Sequence, residues 1–203
     1  MYIYVVILTN TFHCFFTISF CHKSLRQLNK DEDMLLVGDI RLGDMGSGLA
    51  KNLIKNGIAT TGLDLSDTRM RAFVEMGGTP AGSVAEVGAN SDAVFVMVMN
   101  GGQSKAVILG DDGLAAHILK GSAVILTATI KRSESRDIGM ALEGSGIHLV
   151  NSPVSGGFPG AQGGTLTMRA AAASEVLDQY SRLWTQCRKP SIGLGPERVM
   201  ARS

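Results

Sequence analysis

The stretch that decides the fold runs from Met34 to Asp64 and reads MLLVGDIRLGDMGSGLAKNLIKNGIATTGLD. Its first part, Met34 to Ile40, is a short apolar run bounded by charge, and this predicts a buried strand. A glycine-rich turn follows, and apolar residues at helical spacing then continue to Gly57, which predicts a helix that ends at that glycine. A second predicted strand, Ile58–Leu63, leads directly into the acidic side chain of Asp64.

This order of strand, glycine turn, helix, strand and acidic residue is that of a dinucleotide-binding βαβ unit. Glycines let the backbone approach a pyrophosphate, which faces the unpaired N–H groups at the helix N-terminus. Asp64 lies about twenty residues past the turn, where a carboxylate can accept hydrogen bonds from the ribose hydroxyls of NAD. The motif departs from G-x-G-x-x-G at Arg41, where a positive φ would strain a residue that carries a Cβ. The turn alone leaves open a second interpretation, a glycine-rich connection with no ligand.

Composition excludes some classes of function. The chain has 203 residues, of which 45% are hydrophobic and 18% charged, so it can form a packed core. The formal net charge is +1 and only 5% of residues are aromatic, so no basic stripe with stacking rings predicts a nucleic-acid partner. Cys14, Cys21 and Cys187 form no metal-binding or disulfide pattern, which favours a reducing, cytoplasmic location and no metal site.

Residues 1–33 differ from the rest of the chain, because an apolar and aromatic stretch of about twenty residues precedes the polar segment HKSLRQLNKDED. Three interpretations stay open for this extension. It is a membrane anchor or signal that contacts the membrane through residues 1–21. It is a non-native extension, translated from upstream of the true start. Or it is a strand or helix that packs on the domain.

Beyond Asp64, apolar runs alternate with amphipathic stretches. Strands are predicted at 92–99, 122–127 and 148–151, with a further short strand at 166–168. Helices are predicted at 66–76, 84–87, 103–109, 114–119, 133–142 and 170–184. This alternation predicts an α/β fold with a doubly wound, mainly parallel sheet. Residues 152–167 are rich in glycine and without periodicity, and they follow a strand end, where open α/β sheets bind their ligands.

Two motifs resemble those of the β-hydroxyacid dehydrogenases. RLGDMGSGLAKNLIKNG at 41–57 is similar to the family pattern GLGxMGxxMAxNLxKxG, and NSPVSGGFPGAQGGTLTM at 151–168 is similar to D-x-PVSGGxxGAxxGTLT. Their order and spacing also match, and the resemblance covers about residues 34–184. The family includes 3-hydroxyisobutyrate, 6-phosphogluconate and L-threonate dehydrogenases, and residues 92–142 look most similar to the threonate branch. The resemblance implies a Rossmann domain, a C-terminal helical domain, and hydride transfer between a small 3-hydroxy acid and NAD or NADP.

The resemblance also implies two sets of site residues. Those on the cofactor side are Gly43, Asp44, Met45, Gly46, Asp64, Met99, Asn100 and Thr129. Those on the side of the substrate's carboxylate and hydroxyl are Ser155, Gly156 and Gly157. An acidic residue at the end of the second strand repels a 2′-phosphate, so Asp64 favours NAD over NADP.

The chain departs from the family at three further points. Asp39 stands where an apolar strand residue is usual, and a buried carboxylate is costly unless it is paired. Arg41 is the candidate partner for that carboxylate. Ala128 replaces a common hydroxyl residue, and Asn151 replaces the aspartate before PVSGG.

The C-terminal part departs most from the family. The family's catalytic lysine aligns near Ser203, so we expect no catalytic residue in the chain. We therefore expect a Rossmann domain at 34–186, a truncated linker at 187–203, a missing helical domain, and no activity. Three hypotheses follow: a dehydrogenase by descent, a non-catalytic dinucleotide-binding fragment, or a module for protein association.

Overall fold

The computed structural model describes residues 34–186. The predictions for residues 1–33, for residues 187–203 and for the three cysteines concern parts of the chain outside this range. Across the described residues, no helix combines the length and the apolar character needed to cross a membrane.

Six parallel strands form one sheet in the order β3-β2-β1-β4-β5-β6. The strands are β1 (Leu36–Ile40), β2 (Ala59–Leu63), β3 (Thr79–Pro80), β4 (Ala93–Val96), β5 (Ala123–Leu126) and β6 (His148–Asn151). The doubly wound parallel sheet predicted from the alternation of strands and helices is confirmed. Because the strand order reverses between β1 and β4, the crevice that binds ligands in such sheets lies between the carboxyl ends of these two strands.

Helices connect the strands and cover both faces of the sheet. In the described range they are α1 (Asp44–Lys55), α2 (Asp67–Glu75), α3 (Val84–Ala89), α4 (Gly101–Leu109), α5 (Leu114–His117), α6 (Arg132–Leu142), α7 (Gly157–Gly163), α8 (Ser174–Gln179) and α9 (Ser181–Gln186). Gly57 has φ +79° just past α1, so the predicted helix end at this glycine is confirmed. At α3 the Ser83 hydroxyl oxygen accepts a hydrogen bond of 3.1 Å from the Glu86 N–H, as expected of a cap.

The central strands are buried on both faces, which explains why they read as continuous apolar runs. On one face, Val94 and Val96 of β4 pack with the buried side of α3–α6. On the opposite face, Phe95 packs with Leu49 and Leu53 of α1. The alternation of neighbouring side chains between two cores is the expected geometry of a strand.

The predicted helix over 170–184 is wrong in its first part and in its continuity. Ala171 pairs with Asn151 in an antiparallel bridge, with N–H to oxygen distances of 2.8 and 3.1 Å, so its backbone is committed to strand-like pairing. The chain turns again at Tyr180, whose hydroxyl donates toward the carbonyl oxygens of Asp92 and Gly121. Tertiary hydrogen bonds here outweigh the helix propensity of the alanine run.

The segment 152–167 is also more regular than predicted. Val154–Ser155 (β7) pairs antiparallel with Thr167–Met168 (β8) as a small separate sheet, and α7 lies between these two strands. The strand predicted at 166–168 therefore exists but does not join the main sheet.

Candidate functional site

The predicted site residues gather at one edge of the sheet. Arg41 to Gly46 follow β1, Asp64 follows β2, Met99 and Asn100 follow β4, and Thr129 follows β5. Since the strands are parallel, all of these segments leave the sheet at its carboxyl edge. The sequence prediction thus places its cofactor residues around the crevice at the β1/β4 switch point.

The turn after β1 is built around a strained residue and a close contact. Arg41 has φ +81°, a conformation that favours glycine, and its N–H donates to the Leu63 carbonyl oxygen at 2.8 Å. A non-glycine residue in this region costs about 1–2 kcal/mol. A Cβ at Gly46 would collide with the Arg41 carbonyl oxygen, so only glycine fits there without a shift of the turn. Gly43, in contrast, faces open space.

The N-terminus of α1 faces the crevice and is uncapped. Gly43 occupies the N-cap position and offers no side chain to the first N–H groups of the helix. Such N–H groups have no partner within a helix, and together with the helix dipole they favour an anion. Asp44 is exposed and Met45 is half-buried in this first turn.

Asp64 is buried beside the turn, with a relative exposure of 8%. One carboxylate oxygen, Oδ1, accepts from the Ser66 N–H at 2.9 Å and lies 3.7 Å from the Arg69 guanidinium. The other oxygen, Oδ2, is buried and has no hydrogen-bond partner. A buried acceptor without a hydrogen-bond partner destabilises the folded protein. This oxygen is therefore available to accept a hydrogen bond from a ligand.

Asp39 is a second buried carboxylate close to this turn. It is fully buried on β1, and neither of its carboxylate oxygens has a hydrogen-bond partner. The hypothesis that Arg41 compensates it is therefore wrong: no ion pair joins these two residues of the described chain. Burial, and then the nearby charge of Asp64, raise the pKa of the Asp39 carboxyl well above its usual value.

The remaining predicted cofactor residues follow β4 and β5, across the crevice from the turn after β1. Met99 is 78% exposed although it is large and apolar, and its N–H donates to the Gln103 side-chain oxygen at 3.0 Å. Asn100 caps α4 by accepting from the Gln103 N–H at 2.9 Å. Thr129 is exposed just past β5, beside the buried Ala128.

The predicted substrate residues are exposed at the start of the segment 154–164. Ser155 ends β7, while Gly156 and Gly157 have φ of +127° and +58°. These backbone values explain the paired glycines, since side chains rarely adopt them.

One residue that the sequence reasoning missed joins this segment to the turn helix. The side-chain amide of Asn52 on α1 donates to the carbonyl oxygens of Gly48, at 2.7 Å, and of Ala161 on α7, at 2.8 Å. A Cβ on Gly48 would lie 2.6 Å from the Ala161 carbonyl carbon, so the two helices are in backbone contact. The motif at 41–57 contains this asparagine, but its role depends on a contact between residues 109 positions apart.

A metal centre finds no support here. The range 34–186 contains no group of three or more histidine, cysteine, aspartate or glutamate side chains that could hold a metal ion.

Comparison with known proteins gives one consistent family. Residues 36–190 match the family model described as the NAD binding domain of 6-phosphogluconate dehydrogenase. The chain is 35% identical over 140 residues to L-threonate dehydrogenase of Cupriavidus necator, covering 69% of this chain and 47% of that protein. It is 32% identical over 164 residues to NAD-dependent L-serine dehydrogenase of Pseudomonas aeruginosa, covering 81% and 55% of the two chains.

A solved structure agrees with these relatives. The crystal structure of 3-hydroxyisobutyrate dehydrogenase from Salmonella typhimurium superposes with a TM-score of 0.72 at 28% identity, over 76% of this chain and 54% of that one. The chain spans about half the length of the curated relatives it matches.

Proposed function

Because the chain belongs to the family of the NAD-binding domain of 6-phosphogluconate dehydrogenase, we propose that the crevice at the β1/β4 switch point holds NAD. The whole protein's reaction in this proposal is hydride transfer between a small 3-hydroxy acid and this cofactor. The family assignment confirms the resemblance drawn from the two motifs, and a nicotinamide dinucleotide is the cofactor class that it brings.

The observation that carries the proposal is that two features occur together at this crevice. The N-terminus of α1 has no side-chain cap, and one oxygen of the buried Asp64 carboxylate has no hydrogen-bond partner. The first turn of α1, with Gly46 in close backbone contact, suits a pyrophosphate. Asp64 Oδ2, buried and without a partner, suits a ribose hydroxyl donor. The same carboxylate repels a 2′-phosphate, and this favours NAD.

The other residues have roles that follow from their places around the crevice. Met99 offers an exposed apolar surface on which a ring of the cofactor can pack, and Asn100 holds the start of α4 beneath it. Thr129 lies at the end of β5, on the nicotinamide side in this proposal. A bound nicotinamide supplies the hydride acceptor.

Ser155, Gly156 and Gly157 bind the carboxylate and hydroxyl of the substrate in this proposal. Their exposure supports the role, and so does the contact of α7 with α1, which sets the distance from this segment to the cofactor turn. The names of the relatives point to small hydroxy acids of the threonate, serine and hydroxyisobutyrate type.

The 203-residue chain by itself binds cofactor without turnover in this proposal. In this proposal the position of the family's acid/base lysine falls near Ser203, as the resemblance aligns it, and a site without such a group reacts about 10²- to 10⁴-fold more slowly. An assay for NADH formation with L-threonate, L-serine or 3-hydroxyisobutyrate tests this statement. Turnover at the rates usual for enzymes, about 1 s⁻¹ or faster, would contradict it.

Calorimetric titration of the full chain with NAD tests the binding proposal. We expect heat of binding that is lost in Gly46→Val, because the added side chain collides with the Arg41 carbonyl oxygen. Gly139→Val in α6 is the matched control, since a Cβ at Gly139 meets only a Leu149 methyl at 3.7 Å and touches none of the predicted cofactor residues. No heat with NAD or NADP would leave protein association as the better account of the domain.

A further inference from the structure

The strongest unexplained feature of the molecule is the Asp39 side chain. It has a relative exposure of 0%, and both of its oxygens lack a hydrogen-bond partner. A charged carboxylate in such a place loses its hydration and gains nothing in exchange. The neutral form is therefore the form that this interior accommodates.

Asp39 lies against the first turn of α1, where the proposed function places the pyrophosphate. Its Oδ1 is 3.5 Å from the point that a Cβ on Gly46 would occupy, which places the carboxyl against the first turn of α1. In the sheet register Asp39 is opposite Gly62 of β2, so Asp64, two residues further on, faces the same layer. Two carboxyl groups thus lie at the ends of neighbouring strands, on the side where α1 begins.

The charged side chains on the elements packed around Asp39 belong to the turn after β1, to the end of β2, and to α1 and α2. Arg41 belongs to the turn after β1, and the exposed Asp44 begins α1. Asp64 ends β2, and Arg69 of α2 lies 3.7 Å from Asp64. Lys51 and Lys55 of α1, and Asp67, Arg71 and Glu75 of α2, are exposed on the outer surfaces of their helices. None of these groups has a hydrogen bond to Asp39, so no fixed cation offsets its charge.

We propose that this protein binds a dinucleotide together with a proton, and that Asp39 is the residue that carries this proton beneath the pyrophosphate. The inference rests on the proposed function, because it concerns the same crevice. The pyrophosphate brings negative charge to the turn that already faces Asp39, and a like charge disfavours the ionised carboxyl. Asp39 consequently keeps its proton to higher pH in the complex than in the free protein.

The raised pKa of Asp39 in the free protein agrees with this arrangement. By linkage, the association constant for NAD falls as pH rises above the pKa of Asp39 in the free protein, by up to about tenfold per pH unit. The decline ends at the higher pKa of the complex. In that window, binding takes up as much as one proton for each dinucleotide.

The test is calorimetric titration of the full chain with NAD over the pH range in which the protein stays folded, in pairs of buffers that differ in ionisation enthalpy. For the native chain we expect affinity that declines with pH and a measurable proton uptake. In Asp39→Asn, which keeps the shape of the side chain without its charge, we expect affinity that does not depend on pH and no uptake. Asp39→Leu restores an apolar residue and serves as a second variant if the asparagine disturbs folding.

Glu75→Gln is the matched control, because it likewise turns a carboxylate into an amide but at an exposed position at the end of α2, and it should leave the pH dependence in place. If the native chain and the Asp39 variants bind NAD with the same pH profile and the same proton uptake, this inference is wrong and the proposed function stands. If neither the native chain nor the variants bind NAD or NADP at any pH, the proposed function is wrong and this inference with it.

Discussion

The side-chain amide of Asn52 donates a hydrogen bond of 2.8 Å to the carbonyl oxygen of Ala161 and so joins α1, which carries the glycine turn, to α7 of the PVSGG segment. The same amide donates to Gly48 within α1 at 2.7 Å. This amide, together with the backbone contact between Gly48 and Ala161, sets the distance between the candidate cofactor turn and the candidate substrate segment.

Replacing Asn52 with alanine should lower the free energy of unfolding by about 1–3 kcal/mol, because a buried carbonyl oxygen of α7 loses its donor. Urea unfolding measures the change. Asn56→Ala is the control: its amide donates to the Asn52 carbonyl oxygen at 2.7 Å, but at an exposed site, so its effect should stay within about 0.5 kcal/mol. An equal loss of unfolding free energy in the two variants would show that the hydrogen bond between α1 and α7 adds no more stability than the exposed one.

Gly48→Ala should destabilise the protein by about 1–3 kcal/mol, because its Cβ would lie 2.6 Å from the Ala161 carbonyl carbon and force the two helices apart. Gly139→Ala is the matched change inside α6, where the nearest atom, a Leu149 methyl, lies at 3.7 Å. That variant should gain about 0.5–1 kcal/mol from helix propensity. Thermal unfolding of both variants gives the comparison, and a stabilised Gly48→Ala would refute the close approach of the helices.

Arg41→Gly should raise the stability by about 1 kcal/mol and also raise the affinity for the dinucleotide, because φ +81° is unstrained in glycine. Arg41→Ala separates strain from charge, since it removes the guanidinium but keeps a Cβ. We expect the gain in stability in the glycine variant and not in the alanine variant. Unchanged affinity in Arg41→Gly would show that the turn accommodates the arginine as it stands.

Asp39 should make the protein less stable as pH rises. Its pKa in the folded protein is raised by burial and by the charge of Asp64, while in the unfolded chain it is about 3.9. The contribution to stability is fully present below the unfolded value, and it is lost as pH rises toward the folded value, because the unfolded state releases its proton first.

Urea unfolding at pH values between the unfolded and the folded pKa of Asp39 measures this loss of stability. Asp39→Asn should remove the decline and leave the protein more stable than the native chain at neutral pH, because the amide has no proton that the unfolded state could release. Asp44→Asn, at an exposed position, should keep the decline. The same slope in native protein and Asp39→Asn would mean that other groups are responsible.

The sequence predicted those parts of the site that depend on local patterns. The segment from Met34 to Asp64 contains its own strand, turn, helix and strand, and the positive φ expected at Arg41 depends only on the turn. The parallel sheet followed from the alternation of apolar runs with helical stretches. Its switch point then placed the loops after β1 and β4 on either side of one crevice.

What could not be predicted depends on contacts between distant parts of the chain. The bridge between Ala171 and Asn151 outweighs the helix propensity of an alanine run, and this pairing is visible only in the fold. The sequence suggested Arg41 as a partner for Asp39, but the neighbours of a buried side chain are set by the packing of α1 and β2. The role of Asn52 required knowledge that α7 lies against α1.

The measurement that tests the central claim most directly is the ratio of the dissociation constants for NAD and NADP, determined by calorimetry on the full chain and on Asp64→Asn. We expect the native chain to bind NAD at least about tenfold more tightly, because Asp64 offers a free buried oxygen to the ribose and repels a 2′-phosphate. In Asp64→Asn the two constants should approach each other. Equal affinities in the native chain, or no binding of either dinucleotide, would contradict the account.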